Sequence, residues 1–185
     1  MTVNVIYDNR RTEKYEPLME EFKKQGIEDY KIWDCVVLPN IVESISESFK
    51  MIIKDAKEKG LSEVCIAEDD LMFTSENSWK YFLENKPESY ELFVGGSYLI
   101  DNRIDYIAPK TKVLEYVGNH LIVVHESYYD AWLETDSLFH CDTVHKGADI
   151  YLCFPMAALQ RAGWSANNQS VVSYNPIIPE EYIYK

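Results

Sequence analysis

The chain has 185 residues, and 46% of them are hydrophobic, which is enough for one domain with a single sizeable core. Its 31 acidic residues against 18 basic ones give a formal net charge of −13, which argues against non-specific binding to nucleic acid and to anionic membrane surfaces. The four cysteines are widely spaced without a CxxC pair, so the composition excludes a zinc ribbon and a dense disulfide framework and favours a reducing cytoplasm.

The first half of the chain predicts strands that alternate with helices. β-rich runs and amphipathic stretches follow one another, with Gly26 and Gly60 as the expected helix stops. The predicted elements are strand 3–7, helix 13–26, strand 30–37, helix 44–60 and strand 63–67. Strands separated by helices pair in parallel through right-handed crossovers. The segment MTVNVIYDNRR lacks the apolar span of a membrane helix, so we expect at most peripheral membrane association.

The second half of the chain has a less regular pattern. The predicted helices are 75–85, 127–134 and 148–153, and the predicted strands are 90–97, 113–118, 120–125 and 170–174. We therefore expect a single α/β domain with a mixed central sheet flanked by helices. Residues 1–100 would form a regular α/β half and residues 101–185 a mixed half.

The run VCIAEDDLMFT (64–74) contains three consecutive carboxylates, Glu68, Asp69 and Asp70. Like charges repel, and partial burial makes each carboxylate costly unless a cation, a donor or a proton offsets its charge. The triplet ends the third predicted strand, where open α/β sheets bind their ligands. Because extended side chains alternate, Glu68 and Asp70 can both face a cavity while Asp69 turns away.

Two interpretations of the triplet remain open. Hard oxygen ligands at this spacing suit Mg²⁺ or Mn²⁺, which bind diphosphate oxygens and stabilise the negative charge on a departing nucleoside diphosphate. The alternative is a solvated acidic turn at the end of a strand. Its position after an apolar strand in a βαβ context favours the metal site.

The loop after the first strand contains Asp8, Asn9, Arg10 and Arg11. Such sheets commonly meet a nucleotide at this loop. Arginine suits a diphosphate because its planar fork donates to two oxygens at once. The alternative is that the two arginines solvate the surface in front of an acidic helix.

Five blocks along the chain occur in an order that is known from one family. They are NVIYDNRRTEKYEPLMEEFKKQGI, SFKMIIKDAKEKGLSEVCIAEDDLMF, YELFVGG, YVGNHLIVVHESYYDAWL and ADIYLCFPMAALQRAGWS. In this order they resemble the family 25 glycosyltransferases, which include lipooligosaccharide and procollagen galactosyltransferases. The resemblance implies a GT-A-like fold, Mn²⁺ or Mg²⁺ held at the triplet, and inverting transfer of a hexose such as galactose to a hydroxyl. Lipopolysaccharide biosynthesis is the expected setting.

The resemblance also implies roles for individual residues. Those assigned to the donor nucleotide are Tyr7, Asp8, Arg10, Arg11 and Asp69. Those assigned to the metal are Glu68, Asp70 and His120, the last within a Gly-x-His element. For the base that takes the acceptor's proton, Asp149 aligns best and Asp142 is second. The alternatives are a structural histidine beside a strand and an ordinary helix cap at Asp149.

Three functions remain as hypotheses. The leading one is a metal-dependent glycosyltransferase in which residues 1–100 bind a nucleotide-diphosphate sugar and residues 101–185 face a glycan or lipid-linked acceptor, with no nucleic-acid partner. A nucleotidyltransferase ranks lower because DNRRT has no glycine to grip a triphosphate. The third is a transferase-like fold without activity that binds carbohydrate or serves assembly, since the family's Ser-His pair corresponds here to Ser48 and Phe49.

Overall fold

A computed structural model describes residues 1–101, 103–165, 169–173 and 175–185. Its strands are β1 (Val3–Tyr7), β2 (Tyr30–Asp34), β3 (Glu63–Glu68), β4 (Leu71–Phe73), β5 (Leu92–Val94), β6 (Lys110–Val113), β7 (Leu121–His125), β8 (Ile150–Cys153), β9 (Ala158–Gln160), β10 (Gly163–Ser165) and β11 (Ser170–Val172). Its α-helices are α1 (Tyr15–Gln25), α2 (Ile41–Glu58), α3 (Ser78–Glu84) and α4 (Tyr129–Leu133). Short 3₁₀ turns occur at Thr12–Lys14, Glu126–Tyr128, Asn175–Ile177 and Glu180–Tyr182.

A seven-stranded mixed sheet forms the centre of the fold, with strand order β2-β1-β3-β7-β5-β8-β6. β1 pairs in parallel with both β2 and β3, and β5 pairs in parallel with β8. β7 is antiparallel to β3 and β5, and β6 is antiparallel to β8. As a result β1, β2, β3, β5 and β8 run in one direction, while β6 and β7 run in the other. Two small sheets, β4 with β9 and β10 with β11, complete the structure.

Alternating side chains of the sheet supply two hydrophobic cores, one on each face. Along β3, Val64 and Ile66 belong to one core, and Cys65 and Ala67 belong to the other. The first core is covered by α2 and α4, which contribute Phe49, Ile52, Ile53, Ala56, Tyr129 and Trp132. The second is covered by α1 and α3, which contribute Leu18, Phe22, Trp79 and Phe82. The chain therefore forms three layers, with helices on both faces of the sheet.

This architecture confirms the predicted fold class, a single α/β domain with a mixed central sheet flanked by helices. Parallel pairing of the first three strands is also as expected. Helix α2 begins three residues earlier than predicted, because the Asn40 side chain accepts a hydrogen bond from the Val42 N–H (3.0 Å) and caps the helix. Helix α1 ends where predicted, at Gly26 with φ of 67°. Among the described residues, no helix is long and apolar enough to cross a membrane.

Two predictions in the second half are wrong. Residues 148–153 were expected to be a short helix, but Ile150–Cys153 is the strand β8, buried between β5 and β6. A short apolar run has no period that separates a buried strand from a buried helix. The strand expected at 113–118 is instead Lys110–Val113, and β4 and β9 were not predicted. The last residue of the strand expected at 170–174 lies outside the described residues.

Replacing Phe93 by alanine should destabilise the domain strongly. Its ring is fully buried and stacks on Phe82 with centroids 4.5 Å apart. We expect the free energy of unfolding, measured by urea denaturation, to fall by about 3–5 kcal/mol. Phe139→Ala is the matched control, because that ring is 60% exposed and its loss should cost under about 0.5 kcal/mol. Equal losses in the two variants would contradict the assignment of the second core.

Candidate functional site

A cavity of about 400 Å³ opens beside the carboxyl ends of β1 and β3, and we call this end of the strands the edge of the sheet. The two strands are parallel neighbours in which Ile6 lies opposite Glu68, so the loops that follow them meet at this edge. The start of α2, the 140–143 loop and the chain around β9 and β10 complete the wall. The candidate site thus combines segments that are far apart in the sequence.

The acid triplet at this cavity has a cation of its own. The Lys14 ammonium donates to Asp69 Oδ1 (2.5 Å) and to Asp70 Oδ2 (2.8 Å). All three side chains are largely buried, with exposed fractions of 13%, 10% and 15% respectively. Burial lowers the pKa of Lys14, but Asp70 and Asp69 together raise it above its ordinary value. Lys14 therefore stays charged and offsets the repulsion between the two aspartates.

Further contacts fix the two aspartates. Asp69 Oδ2 accepts from the backbone N–H of Asp8 (3.1 Å), which joins the end of β3 to the end of β1. Asp70 Oδ2 also accepts from the side-chain amide of Gln160 (2.9 Å), and its backbone carbonyl accepts from the Arg161 N–H (2.7 Å). Asp70 Oδ1 is buried and finds no hydrogen-bond partner in the described ranges. The position of the triplet is thus set by β1, β3 and β9 together.

Glu68 is the remaining acid of the triplet. Burial raises the pKa of Glu68 well above its ordinary value, and the charges of Asp70 and Asp142 raise it further. Lys14 lowers it, but by less. Glu68 therefore keeps its proton to a higher pH than a free glutamate does.

The two arginines after β1 line the cavity and are both engaged. The Arg10 guanidinium donates to both carboxylate oxygens of Asp8 (2.7 and 2.8 Å) and holds the pKa of Asp8 below its ordinary value. Arg11 Nη2 donates to the backbone carbonyl of Trp164 (2.6 Å) and so ties the β10–β11 hairpin to the edge of the sheet. Trp164 itself lines the cavity with 53% of its surface exposed.

Asp142 lies in the wall of the same cavity, close enough to Glu68 to affect its titration. Its Oδ2 accepts from the Gly118 N–H (2.8 Å). Gly118 has φ of 107°, a conformation that side chains rarely adopt, and an added Cβ would lie 3.0 Å from the His120 ring. The turn at Gly118 thus fixes Asp142, the second of the two base candidates, in the wall of the cavity.

Asp149 lies at the other end of the strands, where β8 begins. It precedes β8, which runs parallel to β3, so the start of β8 lies far from the end of β3. Asp149 lines a second cavity of about 670 Å³, forms an ion pair with Lys112 at 2.5 Å and donates its N–H to Glu91 (2.7 Å). The prediction that Asp149 is the base needs correction, because this position separates it from any substrate held at the triplet.

Two other predicted residues lie behind the cavity wall. His120 is fully buried, its Nε2 lies 3.1 Å from the Ala158 carbonyl, and burial lowers its pKa to about 4. Its Nδ1 lacks a partner in the part of the chain that the structure describes. Tyr7 is 8% exposed and packs in the second core against Tyr15. Neither side chain is among those that line the cavity.

One wall of the cavity is apolar. It consists of Ile6, Val36, Ile41, Val42, Ile45 and Phe49. Phe49, which stands where the resembling family has histidine, is fully buried and stacks on Trp132. Ser48 Oγ accepts from the Val36 N–H (2.8 Å), which holds the loop after β2 against α2. The cavity therefore has an apolar wall, on which a planar aromatic ring could pack, next to charged side chains.

The same contacts decide whether a divalent cation fits. Mg²⁺ or Mn²⁺ would need several oxygen ligands, but Lys14 already donates to one oxygen of Asp69 and one of Asp70. A second cation beside this ammonium would be repelled. Within the described residues, no group of three or more His, Cys, Asp or Glu side chains could hold a metal ion. The residues therefore do not fit a divalent cation while Lys14 is in place, in contrast to the Mn²⁺ or Mg²⁺ that the resemblance implies.

Lys14 lies at the centre of the site, and the sequence did not indicate it. It lies in the 3₁₀ turn just before α1, where a lysine looks like part of a solvated helix start. The available signal was topological: loops after neighbouring parallel strands meet, so any cation in the loop after β1 is a candidate partner for the triplet.

No family model matches the sequence, and no curated protein matches it. A solved structure that is similar is A197 from STIV, with 13% identity, a TM-score of 0.52 and coverage of 92% of both chains. This likeness shows a shared fold across almost the whole chain. Membership of family 25 stays a prediction.

Two further similar structures match a smaller part of this chain. A glycosyltransferase involved in the glycosylation of the major capsid of PBCV-1 has 13% identity and a TM-score of 0.43, over 71% of this chain and 61% of its own. A mutant of Drosophila β-1,4-galactosyltransferase 7 in complex with manganese, UDP-Gal and xylobiose has 16% identity and a TM-score of 0.43, over 70% and 50% respectively.

Replacing glutamate by glutamine should have opposite effects on the free energy of unfolding at the two ends of β3, Glu63 and Glu68. The raised native pKa of Glu68 means that the native state binds its proton more tightly than the unfolded state, so stability is lost as pH rises above 4.5. Glu68→Gln should therefore raise the free energy of unfolding at pH 8, with a gain that shrinks towards pH 5. Urea denaturation at both pH values measures this.

Glu63→Gln is the control at the other end of the strand. Burial alone would raise the pKa of Glu63, but hydrogen bonds from Lys86 and Tyr90 lower it below its ordinary value. Its ionised form stabilises the native state above pH 4.5, so Glu63→Gln should lower the free energy of unfolding at pH 8. A loss of stability in Glu68→Gln as well would show that Glu68 is ionised and paired.

Proposed function

We propose that this chain is a glycosyltransferase that binds a nucleotide-diphosphate sugar in the cavity at the end of β1 and β3. The observation that carries the proposal is the gathering of Arg10, Arg11 and Lys14 beside an apolar wall at this edge of the sheet. Ligands of open α/β sheets bind outside the carboxyl ends of the strands. The three cations suit a diphosphate, and the apolar wall suits a nucleobase.

Asp142 is the proposed base for the transfer. The acceptor hydroxyl would lose its proton to the Asp142 carboxylate while its oxygen attacks the anomeric carbon, and the bond to the diphosphate would break with its electron pair leaving on the phosphate oxygen. Asp142 is held by the Gly118 N–H and faces the cavity, which supports this role.

The finer features of the proposal come from the resemblance to family 25. They are galactose as the sugar, inversion at the anomeric carbon, and a glycan or lipid-linked acceptor. The exposed ring of Trp164 at the cavity supports a sugar acceptor, since aromatic faces pack on the apolar faces of sugars. In place of Mn²⁺ or Mg²⁺ the proposal has the ammonium of Lys14, because it already donates to one oxygen each of Asp69 and Asp70.

Calorimetric titration with UDP and GDP tests donor binding. We expect one of the two to bind, and Arg10→Ala to weaken it about tenfold through loss of a charge-assisted contact. Arg103→Ala is a matched control, because Arg103 forms the same two-oxygen contact with Asp101 (2.8 and 2.7 Å) and does not line the cavity. Equal effects of the two variants, or binding of neither nucleotide with or without Mn²⁺, would contradict the proposal.

Asp142→Asn should lower the rate of transfer by roughly 10²–10⁴-fold, since asparagine cannot accept the proton. Nucleotide affinity should be unchanged because an amide oxygen can still accept from the Gly118 N–H. Release of UDP from UDP-galactose, to water or to a panel of saccharide acceptors, measures the rate. Asp149→Asn, at the opposite edge, should retain the wild-type rate.

The same assay separates the proposal from its main alternative. A protein that binds the nucleotide but releases none from any donor sugar would be the inactive carbohydrate-binding or assembly module. A low rate in Asp149→Asn with a normal rate in Asp142→Asn would reverse the assignment of the base.

A further inference from the structure

We infer that Lys14 is the resident counter-ion of the acid cluster and takes the place of a divalent metal, so that nucleotide binding at this cavity is independent of metal. The part of the inference that concerns the nucleotide rests on the proposed function. The part that concerns the metal does not, because it follows from the contacts of Lys14, Asp69 and Asp70 alone.

Backbone hydrogen bonds fix the turn that carries Lys14. The turn that carries Lys14 is closed by the Arg11 N–H to the Asp8 carbonyl (2.8 Å) and by the Lys14 N–H to the Arg11 carbonyl (3.0 Å). The Asp8 N–H in turn donates to Asp69 (3.1 Å). The backbone of the turn and the acid cluster are thus held to one another by contacts that do not involve the ammonium, which keeps Lys14 within reach of both aspartates.

The donor count supports a role beyond charge pairing. An ammonium has three protons. Two are donated to Asp69 and Asp70, and Lys14 also lines the cavity, so the third can be donated to a ligand oxygen there. Lys14 compensates one of the two aspartates, and Arg10 and Arg11 supply further positive charge along the same wall. A divalent cation could use the aspartate oxygens only if the ammonium left them.

The first test uses the metal alone. Mn²⁺ binding to the nucleotide-free protein is measured by electron paramagnetic resonance for wild type, Lys14→Met and Lys112→Met. We expect Lys14→Met to bind Mn²⁺ at least tenfold more tightly than wild type, because the change frees the carboxylates of Asp69 and Asp70 and removes the competing cation. Lys112→Met, which breaks the ion pair with Asp149, should resemble wild type. Equal Mn²⁺ affinity in wild type and Lys14→Met would overturn the inference.

The second test uses UDP and GDP with the wild-type protein and with Lys14→Met. Affinity should be the same within about twofold in EDTA and in Mn²⁺. In EDTA, Lys14→Met should lose at least tenfold, and Mn²⁺ should restore the loss, which a merely structural role of Lys14 would not produce. Binding to wild type that requires Mn²⁺ would overturn the inference. If neither nucleotide binds under any condition, the proposed function fails, while the Mn²⁺ titration still decides the role of Lys14.

Discussion

The parallel pairing of β1 with β3 is the constraint on which the candidate site depends. Because Ile6 lies opposite Glu68, the loop after β1 and the acid triplet after β3 leave the sheet at the same edge and level. The Asp8 N–H then reaches Asp69, and the following turn brings Lys14 to the two aspartates. A shift of one residue in this pairing would turn Glu68 and Asp70 to the opposite face of the sheet and separate them from Lys14.

The parts of the fold that the sequence predicted are those with long periodic patterns. α2 has its apolar side chains on one face over 18 residues, and the first three strands are separated by helices, so both their existence and their parallel direction follow from local pattern. β8 and β9 were not recognised as strands because each is a short apolar run. Their strand character comes from partners, β5 and β6 for the first and β4 for the second, that lie far away in the sequence.

The candidate site shows the same division. The triplet was recognisable because three acids in an apolar run need a counter-charge, whatever the fold. Which cation supplies it could not be read from the sequence, since Lys14 is 55 residues from Asp69 and meets it only through the sheet. The positions of Asp142 and Asp149 could not be told apart without the strand directions. Asp149 precedes β8, which runs parallel to β3, and therefore lies at the end of the strands away from the triplet.

β3 ends at Glu68, so the alternation expected of extended side chains does not continue to Asp69, which lines the cavity together with Glu68 and Asp70 instead of turning away. Asp69 and Asp70 share the Lys14 ammonium, which offsets part of their repulsion, although burial still raises the pKa of Asp69. Glu68 lies beside Asp142, and burial together with the charges of Asp70 and Asp142 raises its pKa well above the ordinary value. Repulsion among these acids is thus met by a shared cation on one side and by a higher proton affinity on the other. In the proposed reaction, the donor diphosphate would meet the cationic side chains at this end of the sheet, and the acceptor hydroxyl would meet Asp142, which the Gly118 N–H holds in place.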